Sequence, residues 1–468
     1  MTAPRTTRLA LASLALSMLL SSLGTSIANI ALPTLALAFG ASFQTVQWVV
    51  LAYLLAITSL IVSAGRLGDL AGRKRVLMAG VALFTAGALL CGAAPTLPVL
   101  IAARAIQGVG AAAMMALTMA LVSEAVPKDR TGSAMGMLGT MSAVGTALGP
   151  SLGGALIAWL GWRAVFFVNV PLGLAALLLA ARFLPAGAPA AASGPRFDPA
   201  GTLLLALSLA AYALAMTLGH GRAGAANVVL LAAAVLGAIG FAVVERRARA
   251  PLVRLDLFLR PGLGVGLAAT GLVSTVMMAT LVVGPFYLGR ALGLSAAQVG
   301  LVISAGPVVS ALSGVPAGLL VDRIGAVRVM RVGLVGVATG AAALALLPGY
   351  AGVAGYLGAL VVTTSGYALF QAANNTAVMA DVEARQRGLV SGMLNLARNL
   401  GLVTGASAMG AVFAYAAGTP DLATAAPAAV ARGMQQTFLL AAALIVAALL
   451  MVSGNQWRGR ATARDTVS

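Results

Sequence analysis

The side chains able to do chemistry in this chain are few enough to take one by one. Histidine and cysteine occur once each, as His220 and Cys91. A metal cage built on cysteines or histidines needs several of them and a disulfide needs two cysteines, so neither can form within the chain, and no metal-ligating residue is assigned. The eleven carboxylates are Asp69, Glu124, Asp129, Asp198, Glu245, Asp256, Asp322, Asp381, Glu383, Asp421 and Asp465. Each lies near the rim of an apolar run, none at its middle. A membrane enzyme would need paired acids, a nucleophile beside a base, or metal ligands. The sequence assembles none of these, so no catalytic residue is assigned and no enzyme is expected.

Two cations are harder to dismiss. Arg104 and Arg398 sit inside long apolar runs. On translocon scales an arginine at the centre of a bilayer costs roughly 2.5–3.5 kcal/mol, so it must face a cavity or a partner. Gln107, one helical turn after Arg104, can share its face. The plainer alternative for Arg104 is a place near the outer interface, snorkelling or bonding backbone carbonyls. Arg398, in Asn395-Leu-Ala-Arg398-Asn399, either lines a cavity or ties helices together. Gln371, Asn374 and Asn375 lie in one apolar run, Phe286 and Tyr287 in another, and Asn29 in the first. Polar amides in such runs face a cavity or a neighbouring helix rather than lipid, and these residues are candidate cavity lining. Two internal arginines with no internal acid make a cavity that leans positive. Such a cavity favours neutral or anionic guests over cations.

These residues are carried by an unusually apolar chain. Of 468 residues, 60% are hydrophobic and 9% charged, against roughly 25% charged in soluble proteins. A water-soluble domain is excluded. Apolar stretches of spanning length lie near 9–37, 46–66, 76–94, 98–123, 133–159, 164–183, 201–219, 226–244, 262–288, 297–320, 329–348, 351–379, 389–415 and 435–453. A segment alone in lipid must satisfy its own backbone hydrogen bonds, so each is expected to be a helix. The expected class is an all-α membrane protein with fourteen transmembrane helices. The first run, Leu9 to about Leu37, is longer than a 7–15-residue secretory core and reads as a retained helix.

The net charge of +18 has an orientation to explain it. Placing the termini and alternate loops on one side puts 23 Lys and Arg there and four on the other: Arg163, Arg222, Arg290 and Arg432. The positive-inside rule then sets both termini in the cytoplasm, and no nucleic acid is needed to account for the basic excess.

The chain also repeats itself. Gly65-Arg-Leu-Gly-Asp69-Leu-Ala-Gly72-Arg73-Lys-Arg75 returns in reduced form as Gly318-Leu-Leu-Val-Asp322-Arg-Ile-Gly325-Ala-Val-Arg328, and Gly132-Ser-Ala-Met-Gly136-Met137 returns as Gly388-Leu-Val-Ser-Gly392-Met393. Two echoes at nearly one offset argue for two related six-helix halves, 1–183 and 262–453. Linkers are expected at 184–200 and 245–261, two inserted helices at 201–244, and a tail at 454–468. Duplicated halves with a site between them at the midplane are a common transporter plan. No Gly-x-x-x-x-Gly-Lys-Ser/Thr phosphate loop is present, which argues against drive by ATP.

At this point the motifs carry a family. The chain resembles the fourteen-helix drug:proton antiporter branch of the major facilitator superfamily over nearly its whole length. Gly65–Arg75 is similar to the superfamily's loop between helices two and three. Arg104-Ala-Ile-Gln107-Gly108-Val-Gly110 is similar to its fourth-helix motif, and Gly145-Thr-Ala-Leu-Gly149-Pro150-Ser-Leu-Gly153-Gly154 to its fifth-helix antiporter motif. Trp162-Arg163-Ala-Val-Phe-Phe-Val-Asn169-Val-Pro171-Leu-Gly173 resembles the entry to its sixth helix. The branch usually carries an Asp in the first helix before a run like Ser26-Ile-Ala-Asn29-Ile-Ala-Leu-Pro33; here Gly24 stands in that place.

The resemblance implies a major facilitator fold of two six-helix halves plus two inserted helices, exporting small lipophilic molecules by proton antiport. It implies proton coupling at Arg104, with Gln107 beside it. It also implies a cytoplasmic latch built from Gly65, Asp69, Gly72 and Arg73 with its echo Asp322; Glu124 or Asp129 can pair with Arg73. Gly145, Gly149, Pro150, Gly153 and Gly154 would bend and pack the fifth helix against leakage. The alternative readings are a dedicated exporter of one neutral or anionic metabolite or antibiotic, and a transport-dead sensor. No cofactor is expected beyond the proton gradient. The expected partners are a small-molecule substrate, protons and the lipid bilayer, with the chain a monomer in the plasma membrane, or the inner membrane of a Gram-negative cell.

Overall fold

The computed structural model describes residues 5–125, 131–185, 198–218, 224–247, 261–380, 387–419, 422 and 425–465. All regular structure among them is helical. The first nine helices are α1 (Arg5–Phe39), α2 (Phe43–Ala71), α3 (Arg73–Ala93), α4 (Leu97–Ala125), α5 (Thr131–Leu160), the short α6 (Ala164–Phe167), α7 (Asn169–Phe183), α8 (Pro199–Thr217) and α9 (Ala225–Arg247). Then follow α10 (Pro261–Phe286), α11 (Ala296–Ile324), α12 (Ala326–Leu346), α13 (Pro348–Ala380), α14 (Arg387–Thr404), α15 (Gly410–Ala417) and α16 (Pro427–Asp465).

Thirteen membrane-length apolar segments lie among the described residues, α6 and α7 together forming one of them. The fourteenth expected crossing falls on α5, whose 30 residues reach about 45 Å at 1.5 Å per residue, ample for a ~30 Å hydrocarbon core. Every stretch predicted to span is therefore helical. The outer surface fits lipid as solvent: Leu178, Leu236 and Leu312 are 71%, 67% and 73% exposed, which an aqueous protein would not sustain across so many neighbours.

The chain forms two compact units, Met1–Leu252 with Leu294–Ser304, and Val253–Gly293 with Ala305–Ser468. In the first, α1 packs on α5, α3 and α2 on α4, and α9 on α8. In the second, α10 packs on α14 and α12 on α13, with α16 against α12 and α10. Each unit also has a one-residue turn of the same build. Gly72 at φ 96° closes α2 and opens α3, and Gly325 at φ 87° does the same for α11 and α12. These are the echoing glycines of the sequence repeat. A side chain is disfavoured at positive φ, and each glycine N–H still caps the preceding helix, on Gly68 O at 3.0 Å and Val321 O at 2.9 Å.

The pair α8 and α9 is docked on α2 through α8. Asp198 caps its start, accepting from Gly201 N at 2.9 Å ahead of Pro199 in the first turn, the preferred arrangement for both residue types. Ser63 and Thr202 hydroxyls meet at 2.6 Å and Trp48 Nε1 donates to Thr217 Oγ1 at 3.1 Å, so α8 is tied to α2 near both ends. Glu245, on the last turn of α9, is 3% exposed. A Cβ on Gly201 would come within 2.5 Å of Asp198 Oδ2 and 2.8 Å of Glu245 Oε1, so glycine there lets the two carboxyl groups lie close together.

Candidate functional site

Arg104 is 0% exposed, a full-length guanidinium inside the first unit. Its Nε donates to Val49 O at 2.8 Å, Nη1 to Gln107 Oε1 at 2.6 Å and Nη2 to Gly24 O at 3.1 Å. The ring of Tyr53 lies 4.1 Å from the guanidinium carbon, close enough for a desolvated cation–π contact. Tyr53 itself donates to Ser21 O at 2.9 Å. The charge is therefore met by two backbone carbonyls, one amide and an aromatic face, and none of these bonded partners is a carboxylate. Arg104 joins α1, α2 and α4 at one point. Gln107 shares that face as expected, and its Nε2 is buried without a partner. Gly24 is part of this junction. A Cβ there would stand 3.0 Å from Tyr53 Oη and 3.2 Å from the Phe84 ring, so the tyrosine hydroxyl crowds the position where an acid would begin.

The α5 motif makes a seam with α1. A Cβ on Gly145 would strike Leu19 O, and one on Gly149 would strike Ser26 Oγ. Across the same seam, Ser22 and Ser142 hydroxyls meet at 2.7 Å and Ser26 Oγ donates to Gly145 O at 3.2 Å. Small residues four apart let two membrane helices approach this closely. Pro150 sits inside α5 and is buried. Gly153 rests on Ile27 and Ile30, while Gly154 meets the backbone at Ala296, a residue that belongs to the first unit.

The second unit contains a small recess between α10, α13 and α14. α10 contributes Thr270 and Ser274, and α14 contributes Leu394 and Arg398. α13 contributes Tyr367, Phe370, Gln371, Asn374 and Asn375. The spacing on each helix is three or four residues, so one face of each turns toward the recess. Asn374 is 1% exposed; its Nδ2 donates to Thr270 Oγ1 at 2.8 Å and to Gly266 O at 3.3 Å. Its Oδ1 is buried without a donor. Four of the sequence-chosen lining residues thus share one cavity: Gln371, Asn374, Asn375 and Arg398. The other three lie outside it. Asn29 is buried and donates to Thr25 O on its own helix at 2.9 Å. Phe286 packs against Phe413 with ring centroids 6.4 Å apart, and Tyr287 stacks on Tyr356 at 6.3 Å.

The model of the Major Facilitator Superfamily matches residues 14–406 and 265–464. The chain belongs to the major facilitator superfamily. Among its relatives, the multidrug resistance protein Stp of Mycobacterium tuberculosis is 33% identical over 413 residues, covering 88% of this chain and 76% of that protein. The cephamycin export protein CmcT of Amycolatopsis lactamdurans is 35% identical over 398 residues, covering 81% and 79%. The major facilitator fold is seen in the solved structures as well. A bacterial homolog of the human lysosomal transporter Spinster, inward-facing and unoccupied, superposes with a TM-score of 0.72 at 17% identity, covering 97% of this chain and 98% of that one.

Within this superfamily frame, the loop motif is only partly on view. Asp69 and Glu124 lie in helices, but their side chains fall outside the described residues, as does the whole of Asp129. A Cβ on Gly65 would make only an ordinary contact with Ala116, at 3.8 Å; the close approach belongs to Gly68, where a Cβ would strike Leu117. Arg73 is half-buried at the start of α3. Its neighbour Lys74 donates to Ala181 O at 3.0 Å and Leu184 O at 2.6 Å, a cation placed on the last carbonyls of α7. Asp322 is exposed and has no hydrogen bond or ion pair among the described residues.

Sequence reasoning missed Tyr53 beneath Arg104, the carbonyls that hold the guanidinium, and the Thr270, Ser274, Tyr367 and Phe370 walls of the recess. The last four had a signal, a hydroxyl or aromatic stripe at helical spacing. The carbonyls had none.

Proposed function

We propose that this chain exports small, lipophilic organic molecules by proton antiport, two six-helix halves alternately opening a binding cavity to either side of the membrane. The observation that carries the reading is the α1–α5 seam, in which Gly145 and Gly149 of the antiporter-like motif lie so close to α1 that neither has space for a Cβ. A seam this close can slide or bend as a unit without opening a leak for protons. The relatives named for multidrug resistance and cephamycin export support the direction of transport. In this reading Arg104 and Gln107 take part in proton coupling, Gly65, Asp69, Gly72 and Arg73 with Glu124, Asp129 and Asp322 form a cytoplasmic latch, and 201–244 is an added pair outside the two halves. The 23-to-4 split of basic residues supports cytoplasmic termini in a plasma or inner membrane. The gradient itself is the drive, with no cofactor, and the transporting unit is a monomer.

One observation favours a second, narrower reading, a dedicated exporter of a neutral or anionic metabolite or antibiotic. Among the described residues, the recess in the second unit is lined by a cation, amides, hydroxyls and aromatic rings and by no acid. Expression in cells stripped of their own efflux pumps separates the two. Export of one compound with its near relatives alone supports the dedicated exporter. Lowered accumulation of several unrelated lipophilic compounds, restored by a protonophore, supports the broad one. No change in accumulation of any compound would overturn both.

A further inference from the structure

The two intramembrane arginines, alike in sequence, differ in structure. Arg104 has all three of its donor nitrogens engaged. Arg398 lines the recess and makes no hydrogen bond or ion pair among the described residues. A guanidinium at membrane depth without a partner marks a site that expects one. Asn374 is taken up by the wall itself, donating to Thr270 Oγ1 and Gly266 O. Tyr367 and Phe370 add aromatic wall, and no carboxylate lines the recess among the described residues.

We infer that this recess binds the carboxylate of an aromatic or flat organic acid, with Arg398 as its anion clamp and Tyr367 and Phe370 as its aromatic wall. The inference rests on the export reading and names the substrate class of its cavity. A carboxylate is ionised at pH 7 and fits the two parallel N–H groups of a guanidinium. A lysine would supply charge without that fork. A cation of the same size meets Arg398 as a like charge and finds no acid to offset it.

Binding to the purified full-length protein in detergent tests this without requiring transport. The probes are hydroxynaphthoate, its methyl ester and a naphthylmethyl-trimethylammonium cation of similar size, each displaced from or titrated onto the protein by fluorescence. The wild type should bind the acid at least tenfold more tightly than the ester and more tightly still than the cation. Arg398→Gln should lower the acid-to-ester affinity ratio about tenfold, and Arg398→Lys should keep part of it. A melting curve on each variant separates a lost fold from a lost clamp, and Arg398→Lys carries the test if Arg398→Gln does not fold. Equal binding of acid and ester by the wild type, or tighter binding of the cation, would overturn the inference. So would an acid-to-ester ratio untouched in folded Arg398→Gln. The two readings fail separately. Arg398-dependent acid binding without proton-driven flux keeps the anion site and removes antiport, whereas proton-driven flux of neutral compounds without acid preference does the reverse.

Discussion

At the scale of single residues, the difference between Arg104 and Arg398 is one of satisfaction rather than of depth. Arg104 is legible in sequence as an oddity, a charge in a run of alanine and glycine. Its partners are not legible, because backbone carbonyls leave no mark on residue type. Removing it opens a void among three helices and deletes three hydrogen bonds. Arg104→Ala is therefore expected to destabilise the protein by about 2–4 kcal/mol, and Arg104→Lys by somewhat less, since one ammonium cannot reach Val49 O, Gly24 O and Gln107 together. Thermal unfolding in detergent reads this as melting temperatures in the order wild type, Lys, Ala. An Arg104→Ala protein that melts with the wild type would show that the junction holds nothing together. Tyr53→Phe removes the bond to Ser21 O at 2.9 Å but keeps the ring against the guanidinium, and should cost about 1 kcal/mol by the same measurement.

At the scale of elements, the helices were readable from apolar length alone, and the two helix–glycine–helix turns from the spaced echo of Gly72 and Gly325. Other features were hidden. α10 and α14 each run into a π-helical turn, at Tyr287–Ala291 and Gly405–Met409. The first follows Pro285, whose missing N–H loosens the ladder. The second has no proline within it, and its composition gave no warning. The attachment of α8 to α2 depends on single hydroxyls, which a sequence full of serine and threonine cannot single out. The α1–α5 seam makes a specific forecast. Gly149→Ala forces a methyl against Ser26 Oγ and should destabilise by about 1–3 kcal/mol. Ser26→Ala in the same chain should recover part of that loss, because it removes the atom struck. Melting of the single and double variants decides the matter; a double variant no better than Gly149→Ala would place the strain elsewhere. At the turns, Gly72→Ala and Gly325→Ala should each cost about 1–3 kcal/mol for holding a side chain at positive φ, visible as parallel drops in melting temperature.

At the scale of the whole molecule, composition excluded water as the solvent before any element was placed, and the charge count proposed a direction of insertion. The positions of the two units' guests were less accessible. The sequence pooled Arg104 and Arg398 into one positive cavity, because depth in a run says nothing about what a neighbouring helix offers. The structure assigns them to different units and different surroundings. Orientation has its own check: in intact cells, a cysteine placed at Ser295 should react with an impermeant maleimide, and one at Arg75 should react only after the membrane is opened. Cys91 is buried and should stay silent in both.

The central claim is that a proton gradient drives small molecules out through this fold. A single charge crossing 100 mV releases roughly 2.3 kcal/mol, enough for about a fiftyfold concentration ratio. The direct measurement is efflux of a trapped fluorescent compound from proteoliposomes whose outside is made acidic. Efflux should quicken with the inward proton gradient and fall to the protein-free rate when a protonophore collapses it. Efflux through the protein at the same rate with and without the gradient would contradict the claim.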